Sequence, residues 1–403
     1  MKCIDLDMIK NYPWDLINAE EQSYEMCIEA VKRDGRLLKD IRFNELNLTK
    51  EQIYNLYFTA VKENGMALKY VKFQAPEICL EAVKETVYAL KYVKNQTEEM
   101  CLIAVKQNGN ALKYVKEQTE EICVEAVRQN GLALVFVNNQ TAKICLEAVK
   151  QNGLYLKHVK WDELRGKFSN EQLDEICIKA IRKSPMVLQY IENQTEKICI
   201  EAVKENGYAL QYVKEQTQKI CLEAVKQYGL ALKYVKEQTP EICMQAVRNK
   251  GFALQYVENQ TDEICMEAVK EDGSALEYVN NQTDEICREA VKEDGGALKY
   301  VKKQFDEICR EALKQNKYAI KYVKEKDKYL EEFDIKYLEE QDGASEVIAI
   351  KENGEWLFTV GCQEDITKEE FIYRIYNTDG GFDPEKGINV HRQIYLDFLE
   401  QFK

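Results

Sequence analysis

The chain has 403 residues, 45% of them apolar and 31% charged, and a formal charge of −14. That length exceeds one ordinary hydrophobic core, the acidic balance argues against a general phosphate-binding surface, and no apolar run reaches the ~18–20 residues a membrane-spanning helix requires. With two histidines and no Cys-x-x-Cys, His-Glu-x-x-His or glycine-rich phosphate loop, the sequence gives no support to a metal or cofactor, and none is expected.

The opening residues Met1 to Asp7 lack the basic-then-apolar pattern of a secretory signal. Residues 1–22, with Trp14 and Leu16, read as a half-repeat cap. From Ser23 a period of 22 residues takes over and recurs thirteen times through residue 324. Thr97 to Gln118, TEEMCLIAVKQNGNALKYVKEQ, shows the unit: two short helices joined at a glycine. Thr97 is the expected N-cap, with Glu98 and Glu99 in the first turn where the helix dipole favours anions. Met100, Cys101, Ala104 and Val105 make one apolar stripe. Gly109 reads as a left-handed C-terminal stop. Ala111, Leu112, Tyr114 and Val115 then form the apolar face of the second helix, with Lys113 outside. One such unit cannot offset its ordering entropy alone, so the units must stack. The expected fold is therefore an all-α solenoid.

The irregularities follow in chain order. Thr49 caps a second unit that begins early. Pro76 and Pro240 occupy first helical positions, where proline is tolerated. Ten extra residues separate Cys145 from Cys177, an insertion near 163–172 that loops out or lengthens a helix starting near Ser169. Val87, Pro185 and Lys317 replace the junction glycine.

Twelve of the fourteen cysteines hold the same place in successive units. Stacked helices set such residues ~8–10 Å apart, beyond disulfide reach, so they read as free, buried thiols in a reducing, cytoplasmic setting. A tyrosine recurs once per unit, including Tyr92, Tyr114, Tyr212, Tyr234, Tyr256, Tyr278 and Tyr300, with Phe136 and His158 at the same place. These rings read mainly as packing between units with the hydroxyl at the surface. They are also, with Lys113 and Lys233, the candidate partner-binding positions. A glutamine recurs just before the cap at Gln74, Gln96, Gln118, Gln140, Gln194, Gln216, Gln238, Gln260, Gln282 and Gln304, and reads as a ladder bonding the loops of neighbouring units.

Residues 325–342 are expected to form a capping helix. From residue 343 the period vanishes, and 343–403 reads as a small α+β module, ββαα. Its strands are Ser345–Ile350 and Glu355–Val360, joined by Asn353-Gly354, a strong hairpin signal. Thr367 opens a helix through about Tyr376 and Asn389 a last one through Leu399. His391 and Arg392 at that last helix are candidate partner contacts. A nucleophilic pair of Cys362 with His391 has no third residue to support it, and Asp379-Gly380-Gly381-Phe382-Asp383 lacks the ligand spacing of a calcium loop.

The Glu-Ala-Val-Lys, Asn-Gly and Ala-Leu-Lys-Tyr-Val strings, as across Glu201 to Val213 where Gln211 replaces the lysine, resemble the short helical repeats of domain of unknown function 4116. The resemblance covers Ser23 to Lys324. It implies the repeat fold, no enzymatic activity, and occurrence in bacteria, phages and giant viruses, hence a role in virus–host or phage–bacterium conflict inside a bacterial or virus-infected cell. The expected function is a non-enzymatic scaffold whose partner is a protein. Nucleic-acid binding is disfavoured by net charge, mimicry of nucleic acid by the acidic solenoid is the alternative, and a toxin-like or enzymatic C-terminal module is a third reading.

Overall fold

Each repeat begins where a threonine or serine stops the backbone in an extended conformation and turns its hydroxyl to the helix. Thr97, Thr119, Thr141, Thr217, Thr239, Thr261 and Thr283 each accept from the backbone N–H three residues on. A computed structural model describes residues 4–341, 344–361, 363–377, 382–383 and 388–402. Among these residues the repeat occurs thirteen times from Tyr24 to Tyr322, after a shorter unit formed by Leu6–Asn11 and Pro13–Asn18. The chain divides into two compact units, Met1–Glu205 with Tyr212–Lys214, and Asn206–Gln211 with Glu215–Lys403.

The first helix of a repeat is α-helical and ten residues long, except at Lys50–Glu63 and Asn170–Lys183, which have fourteen. Both long helices begin with a capping box, Thr49 with Gln52 and Ser169 with Gln172. The insertion thus does two things: it folds a single turn at Trp161–Leu164 and lengthens the helix that follows.

The second helix is not α-helical. It is a six-residue 3-10 helix, as in Gly109–Tyr114, held by bonds of the i to i+3 kind such as Ala111 N–H to Asn108 O (2.8 Å) and Val115 N–H to Leu112 O (3.0 Å). With three residues per turn, side chains three apart eclipse. Gly109, Leu112 and Val115 therefore share one edge, Ala111 and Tyr114 the next, and Asn110 and Lys113 the outer one. The burial follows: the first edge and Ala111 are buried, Tyr114 is half-buried, and Lys113 is exposed.

The junction glycine has a different reason from the one expected. Among the described glycines only Gly166, Gly354 and Gly361 have positive φ. Gly109 is instead the first residue of the 3-10 helix, pressed against the next repeat so closely that a Cβ would lie 2.3 Å from Ala126 O. Close approach, not handedness, selects glycine there.

The C-terminal region also departs from the expectation. Residues 325–342 do not form a capping helix: one helical turn at Asp327–Leu330 is followed by a strand, β1 (Ile335–Leu338). β1 pairs antiparallel with β2 (Val347–Glu352), which pairs with β3 (Glu355–Val360), and that with β4 (Gln363–Thr367). The sheet thus has four strands rather than two, and its domain begins before residue 343. Asn353 (φ 51°) and Gly354 (φ 90°) form the β2–β3 turn as the dipeptide requires. Helices Lys368–Asn377 and Val390–Leu399 cover one face, on a core of Val347, Ala349, Phe358, Phe371, Ile375, Phe398 and Leu399. Ile348 and Ile350, pointing the other way, are buried as well, and β2 packs against the last 3-10 helix, Lys317–Tyr322. Tyr318 OH donates to the Asp365 carboxylate and Lys317 Nζ to Lys351 O (3.2 Å) across this contact. The sheet closes the open end of the repeat stack, the task assigned in sequence to a helix.

Candidate interaction surface

Two hydrogen-bonded ladders fix the backbone of the repeats, and the candidate surface is what they leave outside. The first ladder is the glutamine row. Gln96 Nε2 donates to its own unit's Leu90 O (3.0 Å) and to the next unit's Tyr114 O (2.8 Å), while its Oε1 accepts from Lys116 N–H (2.9 Å). The same bridge recurs at Gln74, Gln118, Gln140, Gln194, Gln216, Gln238, Gln260, Gln282 and Gln304. Gln22 starts it, bonding Leu16 O, Asp40 O and Arg42 N–H. The loop-bonding ladder expected from sequence is present, and Gln22 is the member that the sequence pattern missed.

The repeated cysteines join this ladder. All twelve are buried and free of disulfides, and the thiols of eleven, all but Cys177, lie 3.4–3.9 Å from the amide oxygen of the glutamine five residues earlier. Burial pushes the thiols up, to about 12 at Cys145 and Cys177 and about 11 at Cys123. They are protonated packing groups with a weak donor, not nucleophiles. Cys362 and Asp379–Gly381 lie outside the described residues.

A second ladder was not read from sequence. The junction glycine N–H donates to a side chain twenty residues on, at the end of the next first helix: Gly109 to Gln129 (2.6 Å), Gly131 to Gln151 (2.8 Å), Gly207 to Gln227 (2.9 Å) and Gly295 to Gln315 (2.7 Å). The signal was the polar residue two before each glycine, which looked like an exposed helix end.

Tyr92, Tyr114, Tyr212, Tyr234, Tyr256, Tyr278 and Tyr300 each end a 3-10 helix and are half-buried. The rings of Tyr114, Tyr234 and Tyr278 meet an aromatic ring of the preceding unit, and each of the seven keeps part of its surface open. A lysine from the outer edge lies over the ring, Lys113 at 4.8 Å from Tyr114, Lys233 at 5.8 Å from Tyr234, Lys91 at 4.7 Å from Tyr92 and Lys299 at 4.4 Å from Tyr300. The hydrogen bond to Tyr92 holds the Lys91 ammonium above its ordinary range. His158, in the same row, is pushed down by burial and by Lys157 beside it.

The residue after the junction position completes the edge. Tyr88 meets Tyr114 of the next unit edge-on at 6.2 Å, Tyr208 meets Tyr234 at 5.9 Å, and Phe252 meets Tyr278 at 5.8 Å. An α-helical reading of the unit hid this position, because only a 3-10 helix stacks it directly beneath the lysine three residues on.

His391 and Arg392 belong elsewhere. Arg392 donates to Ile375 O (3.3 Å) and lies 5.1 Å over the Tyr376 ring, so it braces the module's other helix. Among the described residues no group of three or more His, Cys, Asp or Glu is placed to hold a metal ion, and no helix is long and apolar enough to cross a membrane.

A comparison with curated proteins finds no match. A family comparison matches eight overlapping stretches, 76–118, 97–141, 174–218, 195–239, 217–261, 239–283, 261–306 and 283–328, each about two repeats long. The break at 142–173 is where the insertion interrupts the period. These stretches cover more than half of the chain, which belongs to the family described as Domain of unknown function (DUF4116).

Proposed function

We propose that this protein is a non-enzymatic interaction scaffold that binds a protein partner along the outer edge of its 3-10 helices. One observation carries the reading: the edge presents a row of aromatic rings and lysines on a backbone held by two hydrogen-bonded ladders. A surface that is already rigid loses little entropy on binding, and half-open tyrosines supply large contact area with few rotatable bonds. The buried thiols, raised out of the reactive range, speak for packing and against chemistry.

The test is affinity capture from the cells that make the protein, comparing the natural chain with Tyr88→Ser/Leu132→Ser/Leu154→Ser. All three side chains are exposed, so the fold should survive, and an unchanged melting temperature verifies this. A partner captured by the natural chain and lost by the variant supports the reading. A partner retained in full moves recognition off this edge. Turnover of any substrate that disappears in His391→Ala would replace the scaffold reading with an enzymatic one.

A further inference from the structure

The outer edge is not uniform along the chain. From Gly65 to His158 the five 3-10 helices read GMALKY, VYALKY, GNALKY, GLALVF and GLYLKH, without one aspartate or glutamate. Lys69, Lys91, Lys113 and Lys157 are exposed along it, and Val135 stands in the fourth place, 47% exposed beside Leu132 at 41%. The lysines Lys69, Lys91 and Lys113 rest over their tyrosines and make no ion pair among the described residues. On the first-helix face of the same repeats Arg128 pairs with Glu147 (3.3 Å) and Lys150 with Glu147 (2.6 Å), while Lys62, Lys84 and Lys106, like the edge lysines, make no ion pair among the described residues. Glu85, two residues before the second of these 3-10 helices, turns to Gly65 N–H (2.5 Å). An acidic chain thus presents at this edge four exposed lysines and one valine in register, with no carboxylate among the residues of the five 3-10 helices.

The spacing of that stripe selects a ligand. Equivalent residues of stacked helices recur every ~8–10 Å. An extended polyproline-II peptide rises about 9 Å per three-residue turn and returns every third side chain to the same side. Aromatic-lined surfaces are also the ordinary receptors of that conformation. We infer that Lys69, Lys91, Lys113, Val135 and Lys157 form a docking stripe for an extended acidic peptide. Its side chains at every third residue run acidic, acidic, acidic, apolar, acidic. The inference rests on the scaffold reading above and names its ligand. A nucleic-acid strand fits less well, because the fourth place offers an exposed valine and no cation for a phosphate.

The experiment is fluorescence anisotropy on the full chain with labelled synthetic peptides. The matched peptide carries glutamate at every third residue for three steps, leucine at the fourth and glutamate at the fifth, made in both chain directions. Controls are a peptide of the same composition with its glutamates on alternate residues, and an oligothymidylate of equal length. Removing three exposed ion pairs together amounts to about a tenfold weakening. We therefore expect Lys69→Gln/Lys91→Gln/Lys113→Gln to bind the matched peptide about tenfold more weakly. Lys62→Gln/Lys84→Gln/Lys106→Gln, which removes the same charge from exposed first-helix positions, should stay within about twofold. Equal weakening by both triples would reduce the effect to bulk charge and overturn the inference. So would equal binding of the alternate-residue peptide, tighter binding of the oligothymidylate, or no peptide binding at all. These outcomes leave the scaffold reading to be judged separately, by the capture experiment with the Tyr88, Leu132 and Leu154 variant.

Discussion

Replacing Gln140 by leucine tests whether the glutamine ladder holds the repeats together. Gln140 is 4% exposed, and its amide donates to His158 O (3.0 Å) and accepts from Lys160 N–H (2.8 Å), both in the next repeat. Leucine has a similar volume but leaves both backbone groups without a partner. An orphaned buried group costs ~1–3 kcal/mol. Lys160 sits at a partly open loop, so water relieves some of this, and the sum is about 2–3 kcal/mol. That corresponds to about a hundredfold rise in local opening. In a repeat stack the loss falls on one interface and its neighbours. Hydrogen exchange should therefore show amide protection across 131–160 falling by about two orders of magnitude, while Ala30 and its helix, several repeats away, keep theirs. A loss below about threefold, or one spread equally to Ala30, would refute the claim that the ladder is the coupling between repeats.

Three further outcomes follow from the same geometry. Adjacent glycines should behave oppositely: a Cβ on Gly295 meets Ala312 O at 2.5 Å, whereas one on Gly296 meets first an Asp294 carboxylate oxygen at 3.1 Å, a movable side chain. Gly295→Ala should cost about 1–3 kcal/mol and Gly296→Ala almost nothing, read as melting temperatures; equal shifts would sink the close-approach argument. The Cys145 and Cys177 thiols, raised to about 12 from an ordinary value near 9, stay protonated in the fold while the unfolded chain ionises first. Their contribution to stability is therefore complete below about pH 9 and is lost as pH rises towards about 12. The urea midpoint of Cys145→Ala/Cys177→Ala should fall less steeply over that window than that of the natural chain, and parallel slopes would contradict the assignment. Tyr318→Phe removes the hydroxyl that donates to Asp365 across the contact between the sheet and the last repeat. The site is partly open, so the loss is about 1 kcal/mol, seen as faster limited proteolysis within 344–402 with the repeats unaffected; unchanged cleavage there would make the bond incidental.

What the sequence made legible was local. The threonine caps, the helix starts at Thr49 and Ser169 and the Asn353-Gly354 turn each depend on residues within three or four positions, and all stand in the structure. The glutamine ladder was legible because the period itself places a side chain opposite the same backbone group every time. The features that were not legible depend on a neighbour. Six residues with Ala, Leu and Tyr on one side satisfy either helix type, and close packing against the next unit selects the tighter one. A glycine before such a helix looks like a left-handed stop until Ala126 O is seen against it. Ile335–Leu338 lies among charged residues that suit a helix, and its pairing with β2 makes it a strand. The candidate face was half legible: the tyrosines and lysines were named, and the residue after each glycine was not.

The repeats within this one chain also serve as copies to be compared with each other, and the comparison separates scaffold from surface. The alanine under the junction is kept in all thirteen repeats, from Ala30 to Ala312, and wherever a junction glycine is pressed on the next unit it meets that alanine's carbonyl, except at Gly131, where Tyr155 intervenes. The cysteine place admits one exchange, Tyr57, and the glutamine bridge runs from Gln22 to Gln304 with two exchanges, Leu48 and Phe168, both before the long first helices. The outer edge obeys no such rule. After the junction residue come Arg36, Met66, Tyr88, Asn110, Leu132, Leu154, Met186, Tyr208, Leu230, Phe252, Ser274, Gly296 and Tyr318, and three residues later Lys, Val, Gln or Glu. Packing cannot be the cause of that variety, because the backbone beneath it is the same in every repeat. Duplicated units drift freely only where nothing inside the fold constrains them, yet free drift in so acidic a chain would have scattered carboxylates through the edge. From Gly65 to His158 it has not: the variation there runs among apolar, aromatic, amide and cationic residues and never reaches an acid, and the same holds on to Tyr256. A constraint on charge without a constraint on shape is what an external acidic ligand would impose, and within that acid-free run the lysines concentrate between Lys69 and Lys157, while Gln189, Gln211 and Gln255 take the same place further on.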